Sequence, residues 1–176
     1  MRSAGFEFEV RPSHVDEIRH AGESAEEFTC RIARDKARAV AAFAPPGSLV
    51  LGADTVVVVD GQIFGKPAGS EDAARMLHHL AGGTHRVITG VCLMLAPDRV
   101  EALKSEVTLV TFIPLEEQEI RDYIQSGEPL GKAGAYGIQG LASKFVERIA
   151  GSYSNVVGLP IHLIYEILKP FLVRSQ

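Results

Sequence analysis

Cysteine is scarce in these 176 residues: Cys30 and Cys92 stand alone, with neither a CxxC pair nor a Cys/His metal spacing. That excludes a disulfide framework and a zinc-ribbon site, and it suits a reducing cytosol with two buried thiols, so a cytoplasmic location is expected. Excess positive charge is missing too. A net charge of −4 argues against broad binding to a nucleic-acid backbone, while leaving room for a local basic pocket around a small anion. No apolar run is long enough to span a bilayer, and Met1–Phe6 lacks the apolar core of a secretory signal, so no membrane partner is expected. Internal repeats, low-complexity tracts and linkers are absent, and no domain boundary is drawn. What is present is ordinary in amount, 46% apolar and 23% charged. One soluble globular domain burying roughly two-thirds of its unfolded surface is expected.

The most informative stretch is Gly52-Ala53-Asp54-Thr55-Val56 within Leu49–Asp60. Its β-branched run, ending at Asp60-Gly61, predicts a buried strand entering a tight turn. A carboxylate in such a strand loses its hydration and must find donors, a cation or a proton. Two readings of Asp54 stand side by side: it shapes a nearby loop, or it holds a metal or activates water.

Phe6, Phe8 and Val10 alternate with Glu7, Glu9 and Arg11, which predicts a short half-buried strand, followed by a loop from Pro12 to Glu23. The acidic pair Asp16-Glu17 in that loop reads as a solvated turn more readily than as a site. Ser24 with Glu27 forms a capping box, and the helix it opens is predicted to run to about Phe43, ahead of Pro45-Pro46-Gly47. Its apolar stripe is Phe28, Ile32 and Val40. Lys36 interrupts that stripe, so it either snorkels past the core edge or projects toward an anion.

Asp60-Gly61 predicts a hairpin from Val56–Val59 into Gln62–Gly65. Gly65-Lys66-Pro67 follows, where Lys66 is either an exposed loop lysine or a phosphate contact. Ser70 is read as the cap of the next helix, with Met76, Leu77 and Leu80 inward and Gly82-Gly83 as its stop. His78 and His79 are adjacent, do not share a helix face, and are not read as a metal pair. Arg86–Leu95 and Val100–Ile113 predict an antiparallel strand pair in a mixed sheet. Glu116–Ser126 predicts a helix presenting Ile120, Tyr123 and Ile124.

Gly131 to Gly140 holds four glycines in ten residues together with Lys132, Tyr136 and Gln139. Such a loop lets backbone approach a ligand closely, and Lys132 adds charge. It has neither the GxxxxGK[ST] nor the GxGxxG spacing, and the chain has no GxSxG elbow. Lys144–Ile149 reads as a strand, Gly151–Pro160 as a polar loop, and Pro160 as the first position of a closing helix. Lysines near a costly aspartate and a glycine-rich loop suit a polyphosphate substrate with a divalent cation.

The blocks Gly52-Ala53-Asp54-Thr55-Val56, Gly65-Lys66-Pro67, Thr89-Gly90-Val91, Lys132–Gly140, Gly151-Ser152-Tyr153 and Asn155–Pro160 occur in the order of a known family. The chain resembles the Maf proteins, nucleoside triphosphate pyrophosphatases, from about Gly5 to Leu168. The resemblance implies an elongated α/β fold with a mixed twisted sheet flanked by helices and a central cleft, similar to inosine triphosphate pyrophosphatases. It implies hydrolysis of a nucleoside triphosphate to the monophosphate and pyrophosphate with Mg²⁺ or Mn²⁺, in a homodimer. Asp54 falls on the family's proton acceptor, and Glu17, Lys36 and Lys66 on its other catalytic positions. Asp54 and Glu17 are the expected metal ligands. The AGAYGIQG form is similar to the subgroup acting on dTTP and UTP, where Thr55 and Gln139 read the base and Lys132 contacts substrate. A glutamine amide donates and accepts at once, which suits a pyrimidine edge.

Two departures stand out. The family opens with a Ser-x-Ser-Pro-Arg-Arg loop that contacts the phosphates, and Met1–Phe6 resembles the end of the helix after it. The expectation is a single domain over residues 1–176 that lacks this loop, either because the start has been placed too late or because the protein is truncated at its amino terminus; without the two arginines, weak or absent activity and a destabilised sheet edge are expected. Gly131 stands where the family has an aspartate, which is expected to weaken metal binding or loop closure. The alternative from another class is a non-catalytic nucleotide-binding protein linked to septum formation.

Overall fold

A computed structural model describes residues 1–172. It is an α/β structure, as the sequence predicts, with five strands in one sheet of order β2-β1-β3-β4-β5. In chain order the elements are α1 (Ala25–Ala41), β1 (Leu49–Val59), β2 (Gln62–Phe64), α2 (Ser70–Leu80), β3 (Thr84–Leu95), β4 (Arg99–Phe112), α3 (Glu117–Gln125), β5 (Val146–Ala150), α4 (Tyr153–Val156) and α5 (Ile161–Leu172). The chain forms two compact units. One comprises Met1–Asp54, Thr89–Glu106 and the chain from Gly158; the other comprises Thr55–Ile88 and Val107–Val157. No helix among the described residues is long and apolar enough to cross a membrane.

In the first unit, α1 opens on the predicted capping box. The Ser24 hydroxyl accepts from the Glu27 amide at 3.2 Å, and the Glu27 carboxylate accepts from the Ser24 amide at 2.8 Å. The helix stops at Ala41, short of Phe43, which is exposed. Its buried stripe is Ala25, Phe28, Thr29, Ile32, Ala33, Ala37 and Ala41; Val40 is only half-buried. The small residues in that stripe set how closely the helix lies to the sheet. A Cβ on Gly52 would overlap the Ala33 carbonyl oxygen and stand 2.8 Å from the Ala37 nitrogen; one on Gly90 would overlap the Thr29 carbonyl. Glycine at both positions is thus a packing requirement. Ala33, Ala37 and Ala41 form a core with Cys92, Met94 and Ala96, and Val91 and Leu93 form another with Ile164 and Ile167 of α5. Both cysteines are free, Cys92 buried and Cys30 half-buried, and burial pushes the Cys92 thiol up to about 11.

The strand predicted for Phe6–Val10 does not form. Residues 6–20 carry no regular structure, and Phe8 and Val10 are exposed. Alternation alone makes no strand: the backbone needs a ladder partner, and none pairs with this segment among the described residues.

In the second unit, Asp60 and Gly61 turn the hairpin with φ of 47° and 75°, the positive values of a two-residue type I′ loop. Val57, Val58 and Val59 pair antiparallel with Phe64, Ile63 and Gln62. The helix α2 is capped by Gly69 rather than Ser70, which is its first residue, and no side chain caps its first amides; the Asp72 carboxylate instead reaches back to accept from the Ala68 amide at 3.1 Å, ahead of the helix. Met76, Leu77 and Leu80 are buried as predicted, in a core shared with Val57, Phe64, Val110, Phe112, Tyr123, Tyr136 and Phe145. Each such side chain contributes about 1.5–3 kcal/mol. The predicted strand after Lys144 begins two residues later: Leu141–Phe145 winds into a 3₁₀ turn, and β5 then pairs antiparallel with β4. The polar loop expected after Gly151 contains the short helix α4, capped by Ser152. Asn155, fully buried, donates to the Val87 carbonyl and the Thr108 hydroxyl, each at 3.0 Å.

Candidate functional site

The buried carboxylate of Asp54 lies on β1 and faces α1 of the same unit. Lys36, the interruption in the apolar stripe, projects toward two carboxylates rather than into solvent. Its Nζ donates to Asp54 Oδ1 at 2.6 Å and lies 2.7 Å from Glu17 Oε1. Asp54 is 7% exposed, the Lys36 side chain 20% and the Glu17 side chain 38%. Burial works against the lysine's charge, yet the two carboxylates more than offset it, and the Lys36 ammonium is held above its ordinary range. Three residues from a strand, a helix and an irregular segment therefore meet at one atom.

Glu17 reaches that point although its segment has no regular structure, because Arg31 of α1 ties the segment down. The Arg31 guanidinium donates to the Ile18 carbonyl at 2.8 Å and to both Glu23 carboxylate oxygens at 2.7 and 2.9 Å. The arginine holds the Glu23 carboxyl far below the usual range, at about 2. Arg19 adds two bonds to the Glu23 carbonyl at 2.9 and 2.6 Å. A surface groove of about 520 Å³ lies beside this clamp, lined by His20, Glu23, Arg31, Arg34 and Leu103 among others, and it contains none of the candidate residues.

The remaining candidates belong to the second unit. Thr55 follows Asp54 on β1, and successive strand residues face opposite sides, so the two side chains leave the strand in opposite directions. Lys66 is exposed in the turn after β2, and Gln139 is exposed in the glycine-rich loop, where Lys132 is half-buried. The two loops are joined: the Gly134 amide donates to the Gly65 carbonyl at 3.0 Å. Gly134 sits at φ 68° with its Cα against Val57, where a Cβ would stand 2.6 Å from Cγ2, so only glycine lets the loop lie on β1. Gly131 has φ 79° and open space around it, so an aspartate side chain there would meet solvent.

Two residues that order this loop went unnoticed in the sequence. Glu128 accepts from the Tyr123 hydroxyl at 3.0 Å and the Leu141 amide at 2.8 Å, and its backbone carbonyl accepts from Lys132 Nζ at 2.7 Å. His85, 2% exposed, shares a 2.9 Å hydrogen bond between Nε2 and the Tyr136 hydroxyl. Neither carries a periodicity or spacing signal. The nearest hint to Glu128 was its place between the helix predicted for Glu116–Ser126 and the glycine-rich loop.

The carboxylates of Asp54 and Glu17 are hard oxygen donors converging on one cation, here the Lys36 ammonium. That donor set fits Mg²⁺ or Mn²⁺, which protein sites bind through one or two carboxylates, with substrate oxygens and water completing the shell. No group of three or more His, Cys, Asp or Glu side chains that could hold a metal occurs among the described residues.

The family model described as Maf-like protein matches residues 1–171. The chain is 50% identical over 169 residues to a protein of Koribacter versatilis (strain Ellin345) named dTTP/UTP pyrophosphatase, covering 96% of this chain and 86% of that one. It is 49% identical over 168 residues to the protein of that name in Anaeromyxobacter sp. (strain Fw109-5), covering 94% and 80%. It is also 49% identical over 170 residues to that of Yersinia pestis bv. Antiqua (strain Antiqua), covering 96% and 85%. The chain belongs to the Maf family.

Proposed function

We propose that this chain hydrolyses nucleoside triphosphates, dTTP and UTP foremost, to the monophosphate and pyrophosphate. The observation that carries the reading is the meeting of Asp54, Lys36 and Glu17 at one ammonium, in a family whose close relatives are named for that activity. A general base must be ionised and within reach of the proton it takes. The Lys36 ammonium, charged and bonded to Oδ1, favours the ionised form of Asp54. Asp54 then accepts a proton from the attacking water, and Lys36 holds the base in place. Asp54 and Glu17 are the residues that would hold a divalent cation, which when bound supplies charge neutralisation on the phosphate oxygens. Lys66 and Lys132 contact phosphate oxygens, while Thr55 and Gln139 contact the base. The two free thiols suit a reducing cytoplasm.

The test is pyrophosphate release from dTTP and UTP in the presence of Mg²⁺, comparing the chain with Asp54→Asn. Loss of the base lowers kcat about a hundredfold or more, with the circular dichroism spectrum unchanged. Release that survives the substitution at its original rate rules out Asp54 as the base.

A further inference from the structure

We propose that Glu128 is the positioning residue of the glycine-rich loop, fixing the backbone on either side of Gln139 so that this side chain meets the nucleotide base in one orientation. The inference rests on the proposed activity and adds a residue to it.

The carboxylate and one neighbouring phenol hold the loop at several points. Glu128 Oε2 accepts from the Leu141 amide at 2.8 Å, and Oε1 accepts from the Ala142 amide at 3.5 Å and from the Tyr123 hydroxyl at 3.0 Å. The same hydroxyl accepts from the Gly137 amide at 3.2 Å. The Glu128 backbone carbonyl takes the Lys132 ammonium at 2.7 Å, which fixes the start of the loop. Gln139 thus lies between two anchored amides, those of Gly137 and Leu141, with its own side chain exposed. A glutamine amide on a loose loop presents its donor and acceptor in many orientations; on a loop held at both flanks it presents few, and that order is what base discrimination needs.

The glycines agree with this role. A Cβ on Gly140 would collide with the Glu128 carboxylate, and one on Gly137 would stand 2.7 Å from Lys132 Cε. The loop is glycine-rich at these positions because it wraps the Glu128 carboxylate and the lysine that Glu128 holds. Partial burial opposes ionisation of Glu128, but the Leu141 amide, the Tyr123 hydroxyl, the Ala142 amide and the Lys132 charge outweigh it and keep its carboxyl below the usual range. An ionised acceptor makes the stronger hydrogen bonds.

The experiment is amide hydrogen exchange of the whole chain at increasing UTP, with EDTA and no divalent cation so that UTP is not consumed, for the unmodified protein, Glu128→Ala, Glu128→Gln and Tyr123→Phe. It reads loop order and UTP affinity without turnover, so its outcome is separate from loss of pyrophosphate release, which tests Asp54. In Glu128→Ala the Gly137 and Leu141 amides are expected to exchange about tenfold faster or more, and half-protection to need about tenfold more UTP, as follows from losing hydrogen bonds to a charged acceptor. The amides of β3 are expected not to change. Glu128→Gln, whose amide oxygen still accepts from Leu141, retains most of the order, and Tyr123→Phe loosens Gly137 alone. Both variants keep the test open should the alanine variant fail to fold. Unchanged exchange at Gly137 and Leu141, unchanged UTP half-protection, or loosening spread equally over β3 would each overturn the proposal.

Discussion

The loop that carries Gln139 is tied to the core by a bond that acid should weaken. His85 on β3 is 2% exposed, and its Nδ1 has no hydrogen-bond partner among the described residues. Its ring meets Phe112 edge-on at 5.0 Å and Tyr136 at 5.4 Å, while Nε2 bonds the Tyr136 hydroxyl. Burial pushes the imidazole down from 6.5 to about 4. In the folded chain the ring is therefore neutral at every pH above about 4, whereas in the unfolded chain it takes up a proton below 6.5. Because the unfolded state binds the extra proton, stability falls as pH is lowered through this window. The contribution is fully present above pH 6.5 and gone below about pH 4. A shift of this size amounts to about 3 kcal/mol in all, and about 2 kcal/mol of it is lost by a pH of roughly 5.

The assay is urea unfolding at several pH values between about 7.5 and 5, comparing the chain with His85→Gln. Glutamine keeps a polar partner for the Tyr136 hydroxyl but does not titrate. The variant should be the less stable protein at neutral pH, by roughly 1 kcal/mol for the imperfect fit, and the gap should narrow or invert by about 2 kcal/mol at the acid end. The carboxylates held below their ordinary range, Glu23 and Glu128 among them, release their stabilisation only at lower pH, and they are common to both proteins. Two stability curves that run parallel from neutral pH to about 5 would refute the reasoning, because His85 would then titrate alike in both states.

Other predictions concern the first unit. Gly52→Ala pushes a methyl group into the backbone of α1 at Ala33 and Ala37; it should lower stability by about 2–3 kcal/mol and reduce pyrophosphate release by displacing Lys36, as thermal melts and the release assay would reveal. Lys36→Met leaves the buried Asp54 carboxylate facing Glu17 without its ammonium, with an expected loss of about 3 kcal/mol. Added Mg²⁺ should raise the melting temperature of this variant more than that of the unmodified chain, since the cation replaces the missing charge. Equal shifts in the two proteins would argue against Asp54 and Glu17 as its ligands.

The sequence was most legible where local rules act. The capping box at Ser24, the Asp60-Gly61 hairpin and the inward face of α2 each depend on residues within a few positions of one another, and each is found as expected. Lys36 was visible as an anomaly, a charge in an apolar stripe, but its partners were not, because Asp54 and Glu17 lie 18 and 19 positions away in opposite directions along the chain. The alternation at Phe6–Val10 misled for the converse reason: the local pattern was present, and among the described residues no strand pairs with it. Glu128 and His85 had no pattern at all. Each is defined by hydrogen bonds that follow no local rule, and those to Leu141 and Tyr136 reach 13 and 51 positions along the chain.

The glycines resolve that asymmetry. In the first unit, Gly52 and Gly90 bring α1 close enough for Lys36 to reach Asp54; in the second, Gly137 and Gly140 leave the space that Lys132 and Glu128 occupy. In the second unit the charged side chains themselves lie where a Cβ would stand; in the first it is the backbone of the helix that carries Lys36. A glycine on a strand or in a loop marks a close approach, but it does not say what approaches. That is why the blocks around Asp54 and Gln139 were conspicuous in the sequence while the residues that fill the vacated space were not. It also predicts where such residues lie: on the element whose backbone or side chain a Cβ would strike, which for Gly52 is the helix bearing Lys36 and for Gly140 is the turn bearing Glu128.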